Sequence, residues 1–119
     1  MADLFIYLMI GHFIFDWLFQ YDWQAINKKN GGMALWSHCI VYSVGVWLMA
    51  WVLYGHFIHG GFLAALLVSH LLLDTYKFHK WWCVNVKGMH GEIPLWMLIS
   101  IDQIWHTIVI FLVAVIQTL

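Results

Sequence analysis

The sequence predicts an all-α fold: a polytopic four-helix transmembrane bundle, one domain over residues 1–119, with both termini outside. Three observations carry this expectation. The chain is 64% hydrophobic and 9% charged, whereas soluble domains carry about 25% charged residues. Four segments are apolar over the roughly 20 residues that a helix needs to cross a bilayer. The five basic residues, all lysines, fall in only two of the three connections between those segments.

The first span runs from about Ala2 to Gln20. It carries Asp3 where a signal peptide would be basic, and its apolar run contains His12 and Asp16, so it reads as a retained helix. After the break NKKNGG, the second span covers Met33 to Tyr54. A short link at Gly55 leads to the third, Phe57 to Phe78. The fourth runs from Pro94 to about Thr118, with Pro94 in the first turn, where its missing N–H costs nothing. Lys28 and Lys29 lie between spans one and two, and Lys77, Lys80 and Lys87 between three and four. The link YGHFIHGG has no lysine. The positive-inside rule therefore puts both lysine loops in the cytoplasm. Trp17, Trp23, Trp81, Trp82 and Trp96 fall near that boundary as an aromatic belt.

Two function classes drop out early. A net charge of −1 with no arginine gives no nucleic-acid footprint. Cys39 and Cys83 form neither a disulfide framework nor a thiolate metal knuckle.

The informative residues are the ionisable ones inside the spans: His12 and Asp16, His38, His70 and Asp74, and Asp102 and His106. Residues four apart share a helix face, so three spans each present a His/Asp stripe and the second adds one His. At about 1.5 Å of rise per residue, Asp16 and Asp74 lie about 6 Å below the cytoplasmic surface and His38 about 8 Å. His12, His70 and Asp102 lie at about 12 Å, and His106 at about 18 Å. Three carboxylates at such depths cost on the order of 8–10 kcal/mol, and no lysine within the spans can neutralise them. Protonation, His–Asp hydrogen bonds or a bound cation must compensate.

Imidazole plus carboxylate is the donor mixture of divalent metals, zinc foremost, with iron, manganese or nickel as alternatives. Seven residues exceed one tetrahedral set, so one or two ions are expected, or some residues support the ligands. Three carboxylates and one hydroxide would balance two divalent ions. A proton or ion relay and a bis-histidine haem are the competing explanations; a haem would not call for three nearby aspartates. His56, His59, His79 and His90 sit in loops or at span ends and are assigned no role.

Taken in order, GHFIFDWLFQYDWQAINKK, SHCIVYS, SHLLLDTYK and IDQIWH resemble the domain-of-unknown-function 3307 family of small prokaryotic and phage integral-membrane proteins. The resemblance reaches across nearly the whole chain. It implies a multi-pass protein of the cytoplasmic (inner) membrane of a prokaryote, and no particular activity. More loosely, the His-x-x-x-Asp pattern is similar to that of membrane-bound metal-dependent hydrolases. The resemblance also draws attention to Gln20, Trp23, Lys28 and Gln103. Gln20 extends the first polar stripe, and Gln103 adjoins Asp102 on another azimuth. Lys28 could hold an anionic group at the site mouth or serve only as a positive-inside anchor.

The expected function is a metal-dependent hydrolase opening to the cytoplasm, with His12, Asp16, His38, His70 and Asp74 as metal ligands. Asp102 and His106 are either further ligands or general base and orienting partner. The expected partners are the lipid bilayer and a small amphiphilic or anionic substrate. The alternatives are a divalent-cation or proton carrier and a non-catalytic assembly subunit. A conduit should be polar throughout, yet the outer halves, such as VGVWLMAWVLY, are apolar. A homo-oligomer could supply a path that the single chain lacks. Spans one and three share small–His–three apolar–Asp, which suggests two hairpins repeated in parallel.

Overall fold

The computed structural model describes residues 1–119 and is all-α. Helix α1 covers Ala2–Phe13 and runs into a π-helical turn, Ile14–Leu18. Short α2 (Asp22–Asn27) follows, closed by a 3-10 turn over Lys28–Asn30. Then come α3 (Gly32–Tyr54), α4 (Gly60–Leu73), α5 (Lys77–Asn85) and α6 (Leu95–Thr118).

The punctuation has local causes. Gly31 at φ 78° opens α3, and Gly55 at φ 70° closes it in the left-handed conformation that glycine adopts without a Cβ penalty. Pro94 caps α6 from an extended backbone, so its ring precedes the first helical hydrogen bonds. At the start of α4, His59 Nδ1 accepts the Gly61 N–H at 3.0 Å.

Two helices, α3 and α6, are long and apolar enough to cross a membrane. At about 1.5 Å per residue they reach about 34 and 36 Å. The other two apolar segments are broken. The first helix bends by 91° into α2, and α4 bends by 61° into α5. The uninterrupted helix expected over 57–78 is therefore two helices. Hydropathy averages across the break, but Asp74 caps α4, and Tyr76, at φ 58°, turns the chain through a left-handed position that non-glycine residues rarely hold. Counting each bent pair as one span gives up to four.

Four helices close a ring: α1 packs on α3 and α6, and α4 packs on α3 and α6 from the opposite side. At one end the ring is filled by Leu4, Leu8, Tyr42, Val46, Leu66 and Ile110. At the other, α5 folds Cys83 against Leu98 and Ile101 of α6. Ile6, Leu48, Val52, Leu112 and Ile116 point outward and stay exposed, a surface suited to lipid rather than water.

Close approach of α3 to the first helix depends on small residues, as in membrane helix pairs generally. A Cβ on Gly11 would stand 3.3 Å from the Val46 backbone. One on Gly45 would collide with the Phe15 ring. Gly45→Ala should therefore cost about 1–3 kcal/mol through overpacking, measured as a lowered melting temperature in detergent. An unchanged melting temperature would mean that Phe15 can move aside freely.

Candidate metal centre

Between the two apolar cores lies a layer of polar side chains, each almost fully buried: His12, Asp16, His38, His70, Asp74, Asp102 and His106, joined by His79 and Lys28. Both carboxylates nearest the centre sit where a helix stops being regular. Asp16 lies in the π-helical turn, and Asp74 is the residue that ends α4. Irregular backbone re-aims a side chain off the stripe that regular spacing would give it.

Four donor atoms converge. His38 Nε2 is 3.1 Å from Asp16 Oδ1, 3.1 Å from Asp74 Oδ2 and 3.0 Å from His70 Nε2. His70 Nε2 is 3.4 Å from Asp16 Oδ1 and 3.2 Å from Asp74 Oδ2. One donor atom from each of the four residues falls within 4.8 Å of all the others. Ligands about 2.0–2.2 Å from a tetrahedral ion are separated by roughly 3.3–3.6 Å. The observed separations match that figure to within a few tenths of an ångström. Two imidazole nitrogens facing each other at 3.0 Å satisfy one another only if one carries a proton and the other does not; a cation satisfies both at once. The buried His/Asp group could hold a metal ion.

Lys28 enters from the 3-10 turn after α2. Its Nζ is 3.0 Å from Asp74 Oδ2, with 7% of its side chain exposed. The expectation that no lysine within the spans neutralises the carboxylates left out this lysine from the connection. The lysine lies outside the apolar run, and the bend at α2 folds it back inward. Burial alone would lower its pKa, but the Asp74 and Asp16 carboxylates outweigh that and hold it above the ordinary lysine value. Lys28 is a fixed cation, not a base.

Around the four donors stands a supporting shell. Both nitrogens of His12 are occupied, Nδ1 with the Tyr42 hydroxyl at 3.0 Å and Nε2 with Gln103 Oε1 at 2.9 Å. His12 lies outside the four-residue group, with Nε2 3.9 Å from Asp16 Oδ2. Gln103 donates to Asp16 Oδ2 at 3.1 Å and to Asp102 Oδ2 at 3.3 Å, so one amide orients two carboxylates. Tyr42 stacks on the His70 ring with centroids 3.7 Å apart. Supporting groups of this kind hold metal ligands in register. Gln103→Leu should weaken metal binding about 10–100-fold, measured by competition with a chelating dye; full affinity in the variant would mean that Asp16 is oriented without it.

Asp102 and His106 form the far side of the layer. Asp102 Oδ1 pairs with His79 Nε2 at 2.8 Å, and His106 Nδ1 lies 2.9 Å from the Asp102 carbonyl oxygen. His79 had no expected role because its segment reads as a loop. Instead α5 carries it inward, and the amphipathic pattern KFHKWWCV, with buried His79 and Cys83 four apart, was the available signal. Tyr42 was hidden among the aromatics of its span. Gln24 joins α2 to α3 through Ser37 Oγ at 2.9 Å and helps to hold the Lys28 segment in place.

A cavity of about 460 Å³ leads to this layer. Asp16, Asp102 and Gln103 line its buried part, and exposed Lys29 and Lys80 stand at its opening. Gln20 also lines it, with a buried Oε1 that no protein donor reaches. Trp23 is exposed.

No curated protein and no solved structure is detectably similar to the chain. Residues 4–119, nearly the full length that builds both the bundle and its polar layer, match the family described as protein of unknown function DUF3307, and the chain belongs to that family.

Proposed function

We propose that the protein is a four-span membrane protein with both termini outside the cytoplasm, and that it hydrolyses its substrate with one divalent ion held by Asp16, His38, His70 and Asp74. The observation that carries the reading is the convergence of four donor atoms beneath a lysine-flanked cavity. Charge supports a single ion. Three buried carboxylates and the Lys28 ammonium leave two negative charges, which one divalent ion neutralises. Zinc suits two imidazoles and two carboxylates at tetrahedral spacing, with iron, manganese and nickel as alternatives.

The lysine loops orient the cavity to the cytoplasm of a prokaryotic inner membrane. Lys29 and Lys80 would draw an anionic or amphiphilic substrate inward, and Trp17 and Leu98 offer it apolar contact. A bound divalent ion would lower the pKa of water toward 7, the chemistry hydrolysis requires. The apolar core of Leu4, Leu8, Val46 and Ile110 beyond the polar layer favours a one-sided site over a conduit.

The test is elemental analysis of protein purified in mild detergent without chelator, followed by metal-dependent release from chromogenic esters and phosphoesters. Absence of stoichiometric metal would sink the proposal. Bound metal with cation flux into liposomes and no hydrolysis would replace the enzyme with a carrier.

A further inference from the structure

Two buried acceptors face each other across the layer with no protein donor for either. His106 Nε2 and Asp74 Oδ1 are 4.0 Å apart, and neither makes a hydrogen bond within the protein. His106 is 2% exposed and Asp74 0%. The tautomer of His106 follows from its other nitrogen: Nδ1 points at the Asp102 carbonyl oxygen, which can only accept, so Nδ1 carries the hydrogen. Nε2 therefore presents a lone pair toward a carboxylate oxygen. Leaving two such acceptors buried and unpaired is costly, because each has given up its hydrogen bonds to water. A cation between them removes both penalties at once.

We propose that this is a second divalent-cation site, formed by His106 Nε2, Asp74 Oδ1 and a carboxylate oxygen of Asp102. One ligand atom from each of these residues lies within 4.8 Å of the other two. The proposal rests on the first site, because Asp74 is shared: its Oδ2 belongs to the first group and its Oδ1 to the second. Asp74 is thus a bridging carboxylate between two ions. The Nδ1–H to carbonyl bond of His106 is the arrangement that supports a metal-ligating imidazole.

Charge sets the order of filling. The first ion and the Lys28 ammonium together neutralise the three carboxylates, so the second ion brings excess positive charge. It binds more weakly, by tenfold or more, and it calls for an anion. That anion is hydroxide or an anionic group entering through the lysine-flanked cavity, whose lining includes Asp102.

Manganese titration of the full chain in detergent, followed by equilibrium dialysis and electron paramagnetic resonance, tests the inference. Wild type should bind one tight and one weaker equivalent, and filling the second should broaden the six-line signal through coupling across Asp74. His106→Asn should keep the tight equivalent and lose both the weak one and the coupling. Saturation at one equivalent, or two equivalents persisting in His106→Asn, overturns the second site and leaves the first intact. No binding at all overturns both. The wild-type coupling needs no variant, so misfolding of His106→Asn cannot mask the answer.

Discussion

His38→Ala and His70→Ala should each abolish tight divalent-metal binding, lowering affinity on the order of 10³-fold or more, well beyond the about 10–100-fold cost of losing a supporting group. Each change removes one of four converging donors, and the three that remain include two carboxylates sharing one imidazole. The same loss has a thermal signature. A metal present at about 1,000 times its dissociation constant stabilises the folded state by about 4.1 kcal/mol. Wild type should melt at a correspondingly higher temperature when metal is added, and neither variant should. Melting curves with and without metal make the comparison. Equal metal-dependent shifts in wild type and both variants would remove His38 and His70 from the centre.

Lys28→Met is expected to weaken the metal-free protein more than the metal-bound one. Without metal, it leaves the Asp74 carboxylate short of its closest cation, and breaking a buried pair from one side costs about 3–5 kcal/mol. With metal, the loss is smaller, because the ion supplies the missing charge. It follows that the variant binds the first ion at least tenfold more tightly while its metal-free form melts earlier. The sign with pH is fixed by the raised pKa of Lys28. Its stabilisation is complete below the ordinary lysine value and is lost only as pH climbs through the raised one. The difference between Lys28→Met and wild type should therefore stay constant over about pH 6 to 9. Isothermal titration at two pH values measures both claims; unchanged affinity in the variant would reduce Lys28 to an anchor.

Much of the candidate centre was legible because polar residues in oily helices are expensive and therefore few. Asp16, His38, His70 and Asp74 stand out on that ground alone. What hydropathy could not convey was the path of the backbone. His12 and Asp16 are four residues apart whether the turn between them is α-helical or π-helical, so shared spacing did not reveal that His12 faces Tyr42 and Gln103 instead of the four-donor group. The pairing of Lys28 was hidden for a related reason. A lysine in a loop reads as a contact at the site mouth or as an anchor, and only the 91° bend into α2 turns it toward Asp74. His79 needed the same kind of information, since its burial comes from α5 folding against α6. The apolar segments themselves were legible because long hydrophobic runs have few alternatives to a helix.

The π-helical turn also decides what the two similar motifs have become. GHFIFD and SHLLLD match letter class for letter class, and on regular helices they would be interchangeable halves of a symmetric pair. A π-helical turn amounts to one surplus residue inserted in a helix, and one residue rotates everything after it by about 100°. In α4 both members of the motif reach the centre, His70 and Asp74 through atoms 3.2 Å apart. In the first copy, only the aspartate does, and the histidine has become its brace. One surplus residue thus separates two strings of matching pattern: one sends both its polar members into the four-donor group, and the other sends its aspartate there with the histidine beside it.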